Sequence, residues 1–281
     1  MKRSDFPKAS VGFLLYLLIA ATDCFCAGGC IPRAKYERIV HLSAPLPAGS
    51  LFEAQTHNGY ITITGTDVAD CNLIATITAR ADTEENAQKL AEEVKVELIS
   101  SGNKLTAKIE KPELTWGESI GVSLDITVPN QTSADLTTHN GTLKIKNLTG
   151  QLNGTTHNGE VVAEKISGTA KLKTHNGSLI CEEASDDINL RTHNGNAKTF
   201  YSRTASPVCN VSIVTHNGNI DLTAPPNFSA KVEASTHNGL IDIDLPITVT
   251  GNVTKNKLSG TIGTGQGELY LETHNGSIKI K

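Results

Sequence analysis

The sequence predicts an all-β protein, a parallel β-solenoid of rungs about 18–23 residues long that turn at Asn-Gly corners. One short helix is expected in an insert near the N-terminus. Three observations carry this. The tetrapeptide Thr-His-Asn-Gly occurs eight times, starting at Thr56, Thr138, Thr156, Thr174, Thr192, Thr215, Thr236 and Thr273. The four copies from Thr138 to Thr192 follow one another at intervals of 18 residues, and a fixed period marks a stacked repeat. Apolar residues also alternate on both sides of each corner, as in Ala134/Leu136 before it and Leu143/Ile145 after it. Period-two alternation belongs to half-buried strands, because successive side chains point to opposite faces.

The corners come next. Asn-Gly is turn chemistry, since both residues tolerate positive φ. The regular corners are Asn140 and Gly141, Asn158 and Gly159, Asn176 and Gly177, and Asn194 and Gly195. A second corner in each rung is marked by Gly150 and Gly168. An antiparallel β-meander satisfies the same pattern, with Asn-Gly as a two-residue type I′ hairpin. The identity of every corner favours the solenoid, where like residues stack on like. Right-handed winding follows the usual rule for parallel crossovers.

Parity places the threonine of each corner inward and the histidine outward. The row is His57, His139, His157, His175, His193, His216, His237 and His274, leaving His41 as the one histidine outside it. Rungs about 4.8 Å apart would bring these imidazoles close together. They are candidate ligands for a divalent metal such as Zn²⁺ or Cu²⁺. Against that, the row offers one ligand type in a line, whereas structural zinc takes closed four-ligand sites. No other cofactor is implied.

Residues 1–30 read as an export signal. Lys2, Arg3 and Lys8 precede an apolar run from Val11 to Ala21, too short to span a bilayer and suited to a signal peptide core. Ala27-Gly28-Gly29-Cys30 resembles a bacterial lipobox, with Ala27 where that pattern prefers Leu, and makes Cys30 the candidate lipidation site. Plain cleavage near Ala27 and a secreted soluble protein is the alternative. Cys71, Cys181 and Cys209 then remain, without metal-like spacing. Cys181 falls on a core-facing strand position, and a Cys71–Cys209 disulfide is left open.

Residues 31–42 read as a tether, 43–135 as the first rung plus a helix-bearing capping insert, and 136–281 as the repeat solenoid, continuous with that insert. Within the insert, Asn72–Arg80 alternates as a strand. Asp82 with Glu85 resembles a capping box for a helix at about 83–94, with Ala87, Leu90, Ala91 and Val94 at helical spacing. Val122–Val128 is a further strand, ending at Pro129. A solenoid end is a sheet edge that needs covering, and this insert would cover it. Beyond Arg191 the rungs lengthen, and the 37-residue interval from Thr236 to Thr273 points to an extra excursion.

The order of these elements resembles the bacterial putative-adhesin domain family, a β-solenoid domain of unknown function related to the autotransporter-adhesin-head type. The resemblance rests on the strand Asn72–Arg80, the helix Thr83–Glu93, the Val-Pro strand Gly121–Pro129 and the corners from Thr138 onward, and covers about residues 40–281. It implies a β-solenoid at the envelope of an exported bacterial protein and no catalytic residues.

Composition narrows the function. A net charge of −4 over 281 residues provides no basic face for nucleic acid. Aromatics make up 4% and Trp116 is the only tryptophan, so stacking platforms for sugars are scarce. The expected role is a non-catalytic, adhesin-like envelope protein that binds or scaffolds an unknown protein or cell-surface ligand. It would be held to the membrane by a lipid at Cys30. Metal binding by the histidine row is the alternative. A β-helical polysaccharide-active enzyme is the remaining one, with Asp242/Asp244 and Asp186-Asp187 the best acidic pairs. Those acids sit where solvated strand faces and turns ordinarily place them.

Overall fold

The computed structural model describes residues 33–250 and 254–281. The expected signal and Cys30 lie outside the described residues. The chain forms twenty-three strands and one helix among those residues. The first part runs β1 (Ala34–Pro45), β2 (Leu51–Asn58), β3 (Ile61–Thr66), β4 (Asp70–Ala81), α1 (Glu84–Glu93), β5 (Lys95–Ser101), β6 (Lys104–Glu110) and β7 (Ser119–Pro129). The regular rungs follow as strand pairs: β8 (Ser133–Asn140) with β9 (Leu143–Leu148), β10 (Leu152–Asn158) with β11 (Val161–Ile166), β12 (Ala170–Lys173) with β13 (Leu179–Ala184), and β14 (Ile188–Arg191) with β15 (Ala197–Tyr201). Then come β16 (Val211–Asn217), β17 (Ile220–Thr223), β18 (Ala230–Asn238), β19 (Ile241–Ile243), β20 (Ile247–Val249), β21 (Lys257–Ile262), β22 (Gly267–Asn275) and β23 (Ile278–Ile280).

Each rung gives one strand to each of two sheets. One sheet has eleven strands, in the order β1-β4-β7-β3-β9-β11-β13-β15-β17-β23-β19. The other has twelve, in the order β20-β21-β18-β22-β16-β14-β12-β10-β8-β2-β6-β5. Neighbouring rungs pair in parallel with like positions aligned, for example Thr156 with Thr138 and Asn158 with Asn140. This is the solenoid, and not the antiparallel meander. Inward residues of both sheets form one apolar core, in which Leu136, Leu143, Ile145, Leu172, Leu179, Leu190, Ile213 and Ile220 are fully enclosed.

The N-terminal end departs from the expected tether. Residues 34–45 form β1, which pairs antiparallel with β4 along its whole length. Val40 and Ala44 drop into the core from it, so this stretch is part of the fold. Antiparallel pairs β1–β4, β4–β7 and β5–β6 close the stack at this end. Helix α1 buries Ala87, Leu90 and Ala91. Its N-cap is Thr83, whose Oγ1 accepts from the amide of Asn86 at 3.2 Å, rather than the expected Asp82. Asp82 instead accepts from the Thr83 amide and from Asn86 Nδ2. The last turn of α1 has no basic residue of its own. Arg38 of β1 supplies the cation, donating to the carbonyls of Ala91 and Val94 at 3.1 and 3.0 Å.

Two features were not visible in the periodicity. The second corner begins at a left-handed residue, and Asn147, Lys165 and Glu183 occupy it with φ of 55°, 56° and 52°. That residue shifts the inward phase by one, so Leu148, Ile166 and Ala184 turn into the core. The C-terminal rung is also out of chain order. β22 and β23 lie between β16/β17 and β18/β19, so the rung at Thr273 separates those at Thr215 and Thr236. The expected excursion is real: β20 and β21 fold antiparallel over β18 and cover the outermost rung of the twelve-stranded sheet.

Candidate functional site

The residues that distinguish this chain meet at the Asn-Gly corner, where the two sheets join along one edge. Each of the four corner positions forms a continuous column, and each column is held by a different interaction.

Every corner threonine is buried, and its hydroxyl donates to a carbonyl of the adjoining rung. Thr156 reaches Gly141 O at 3.0 Å, Thr174 reaches Gly159 O at 2.9 Å and Thr192 reaches Gly177 O at 3.0 Å. Thr56, at the first rung, uses Val122 O of β7 in the same way, at 2.8 Å. The asparagines form a second ladder, in which each Nδ2 donates to the Oδ1 of its neighbour. It runs unbroken through Asn58, Asn140, Asn158, Asn176, Asn194, Asn217, Asn275 and Asn238, at 2.7–2.8 Å throughout.

The glycines are required for closeness. A Cβ placed on Gly159 would stand 2.0 Å from the carbonyl oxygen of Gly141, and one on Gly177 would stand 1.9 Å from that of Gly159. The expected reason, positive φ at an Asn-Gly turn, is therefore secondary. The corner asparagines are not left-handed, and Gly141 and Gly159 also lack a positive φ, yet the approach is equally tight there.

The histidines face solvent and stack ring on ring. Centroids are 4.7 Å apart for His57–His139 and His139–His157, 5.0 Å for His157–His175 and 4.9 Å for His175–His193. The row continues through His193–His216 at 4.7 Å, His216–His274 at 4.9 Å and His274–His237 at 4.6 Å. Interplanar angles between 2° and 22° make this a ribbon of near-parallel rings. Loss of solvent in the stack lowers the pKa of His139 below the ordinary imidazole value, and the like charges of His157 and His57 lower it further.

Ring nitrogen lone pairs lie in the ring planes, so in a parallel stack they run side by side and do not converge on a point between rungs. Among the described residues no group of three or more His, Cys, Asp or Glu is arranged to hold a metal ion. The four-ligand geometry that zinc takes would require neighbouring rings to leave the stack.

Beside His57, His139 and His157 lies a groove of about 730 Å³ on the twelve-stranded sheet, bounded also by Glu53, Asp135 and Lys111. Burial raises the pKa of Asp135, with the neighbouring Glu53 adding to it, and burial lowers that of Lys111. Glu53 itself is held low by Lys104, which donates at 2.9 Å, and by Thr106 at 3.0 Å. The signal for this groove was present in the outward residues three places before each corner threonine, where only Glu53, Asp135 and Glu233 are acidic. Reading the inward positions alone passed over it.

The other expected residues are placed as follows. Asp242 pairs with Lys279 at 3.3 Å. Asp187 accepts from the amide of Asn210 at 2.7 Å, and Asp186 accepts from the amide of Asp187 at 2.8 Å. Asp242 is held by a lysine and Asp186 and Asp187 by loop backbone. Cys71, Cys181 and Cys209 are buried free thiols, so Cys71 and Cys209 are not joined. Burial raises the Cys71 and Cys181 thiols to about 12.

The family model described as Toastrack DUF4097 matches residues 46–281. No curated protein is a match at the level of sequence. Solved structures that the chain resembles include a putative cell adhesion protein from Clostridium sporogenes ATCC 15579, 13% identical, with a TM-score of 0.40 over 86% of this chain and 99% of that one. A putative adhesin from Bacteroides fragilis NCTC 9343 is also 13% identical, with a TM-score of 0.40 over 86% of this chain and 97% of that one. A putative adhesin from Parabacteroides distasonis ATCC 8503 is 10% identical, with a TM-score of 0.31 over 86% and 96%.

Proposed function

The chain belongs to the Toastrack DUF4097 family, and from that premise we propose that it is a non-catalytic, exported envelope protein that works as a binding or scaffolding surface. One observation carries this reading. The threonine, asparagine and glycine of every corner are spent on holding the adjacent rung, which leaves an outward ribbon of eight stacked imidazoles along one edge. Such an edge suits recognition of an extended partner by repeated weak contacts, because one interaction recurs at each rung. The acids that a polysaccharide-active enzyme would bring together are instead tied to Lys279 and to loop backbone. The leader-like residues 1–30, with Cys30 in a lipobox-like setting, support export and a lipid anchor.

The test has two arms. The full chain is expressed in a bacterial host and located by fractionation and by protease accessibility on intact cells; retention in the cytoplasm overturns export. Purified chain is then titrated onto intact bacterial cells beside a variant with His139, His157, His175 and His193 all changed to Ser. Saturable binding that weakens in a variant of unchanged fold supports recognition through the ribbon, whereas equal binding moves the recognition surface elsewhere. Metal capture by the row is read from the same proteins by calorimetric titration of Zn²⁺.

A further inference from the structure

Trp116 is the only tryptophan in the chain and is 98% exposed, the most exposed large apolar side chain among the described residues. An exposed tryptophan beside a second exposed apolar side chain makes a small apolar tip that a partner can cover. Its position is built. The tip of the loop between β6 and β7 is closed by two hydrogen bonds, from the amide of Glu118 to Thr115 O at 3.1 Å and from the amide of Thr115 to Glu118 Oε2 at 2.8 Å. Leu114, 47% exposed, stands beside it on the same tip.

The surroundings identify the partner. A Cβ on Gly117 would lie 3.4 Å from Arg33 Nη2, so this tip rests against the residue at which the N-terminal segment joins the fold. Cys30 lies three residues before Arg33, and three residues span at most about 11 Å. A lipid on Cys30 would therefore tie the membrane to the end of the fold that carries Trp116 and Leu114. Tryptophan favours the interface between headgroups and acyl chains, where its ring is buried and its indole N–H stays hydrated. Arg33 lies against the tip with positive charge for lipid phosphates, and Glu118 is engaged with the loop backbone.

We propose that the 113–116 tip is a bilayer-interface anchor, which inserts Trp116 and Leu114 beside the lipid attachment point and holds the solenoid at a fixed angle to the membrane. This rests on the reading that Cys30 is lipidated. With one anchor the stack would swivel about its linker; a second contact beside it fixes which edge faces outward.

Because Trp116 is the sole tryptophan, intrinsic fluorescence reports on the tip alone. The full chain, made with its own leader in a bacterial host, is reconstituted into phosphatidylethanolamine–phosphatidylglycerol vesicles with and without brominated acyl chains. The lipid at Cys30 is read by mass spectrometry on the same sample. The expected result is a blue-shifted emission that brominated lipid quenches, with both effects reduced in Leu114→Ser. Lipidated chain that floats with the vesicles but keeps a water-like, unquenched emission overturns the tip anchor and leaves the lipid reading standing. Quenching in a chain without lipid at Cys30 supports the tip and overturns the lipid reading. Absence of both lipid and quenching overturns the two together.

Discussion

The tightest constraint in the molecule is the contact between corner glycines, and Gly159→Ala tests it without the complication of backbone strain. Gly159 has no positive φ, so alanine is conformationally acceptable there and only the added methyl matters. That methyl would sit 2.0 Å from Gly141 O and 2.6 Å from Gly141 C, both backbone atoms inside a paired ladder. Contacts below 3.0 Å are essentially never seen, so the two rungs must part by about an ångström locally. Four hydrogen bonds cross that gap: Thr156 Oγ1 to Gly141 O at 3.0 Å, Gly141 N to Asn158 O at 3.0 Å, Leu143 N to Glu160 O at 3.0 Å and Asn158 Nδ2 to Asn140 Oδ1 at 2.8 Å. At about 1 kcal/mol net for each bond, losing most of them costs roughly 3–4 kcal/mol, a large share of an ordinary domain's stability. The assay is urea unfolding followed by far-ultraviolet circular dichroism, beside Gly102→Ala as control. Gly102 has open space around its Cβ position and a φ of +60°, so alanine there costs about 1–2 kcal/mol from backbone conformation alone. A Gly159→Ala chain within 1 kcal/mol of the parent would refute the close-approach argument. A drop in the slope of the transition would show that the stack comes apart between rungs rather than as one unit.

Protonating the histidine ribbon should weaken the fold. The folded pKa of His139 lies below its unfolded value of about 6.5, so its contribution is fully present above about 6.5 and is lost as pH falls from there through the lowered folded pKa. The melting temperature should fall between pH 8 and pH 5, less steeply in His139→Gln, and a flat profile would refute the reasoning. Deleting residues 267–281 removes an inserted rung rather than a terminal one. Loss of buried Leu269, Leu271, Ile278 and Ile280 amounts to roughly 6–12 kcal/mol, so the cooperative transition should disappear in calorimetry. Lys165→Gly relieves a left-handed residue in an exposed position and should raise stability by about 1 kcal/mol in urea titration. Thr199→Val removes a buried hydroxyl that has no hydrogen-bond partner and should gain about 1 kcal/mol in the same measurement.

The central rungs were legible because their information is local. Ala134, Leu136, Leu143 and Ile145 announce their face by parity, and the fixed interval between corners announces which residues stack. What escaped was set by partners distant in sequence. β1 looks like a polar tether on its own, and it becomes a strand because β4, roughly forty residues away, offers a complete antiparallel edge. The left-handed residues carry no common signature, since Asn147, Lys165 and Glu183 share only a position. Their effect appears one residue later, when Leu148, Ile166 and Ala184 turn inward against the expected phase. The insertion of β22 and β23 was hidden for a similar reason. An interval of 37 residues declares an excursion, but all eight corners carry the same tetrapeptide, and identical corners cannot encode the order of their stacking.

That identity bears on why the exposed position is uniform. Thr, Asn and Gly are each fixed by a bond or a contact to the neighbouring rung, so a column tolerates little substitution at those places. Among the described residues no side-chain hydrogen bond to the next rung holds the histidines in the same way; their rings stack face to face. A ring of another kind would stack equally well at this spacing. Histidine differs from phenylalanine or tyrosine in that it keeps a hydrated, hydrogen-bonding edge while stacked, and in that it can take up charge near neutral pH. Charging one ring raises the cost of charging the next, as His139 shows between His57 and His157. Protonating His139 between its two neighbours therefore sets like charges face to face and loosens the stack that holds them.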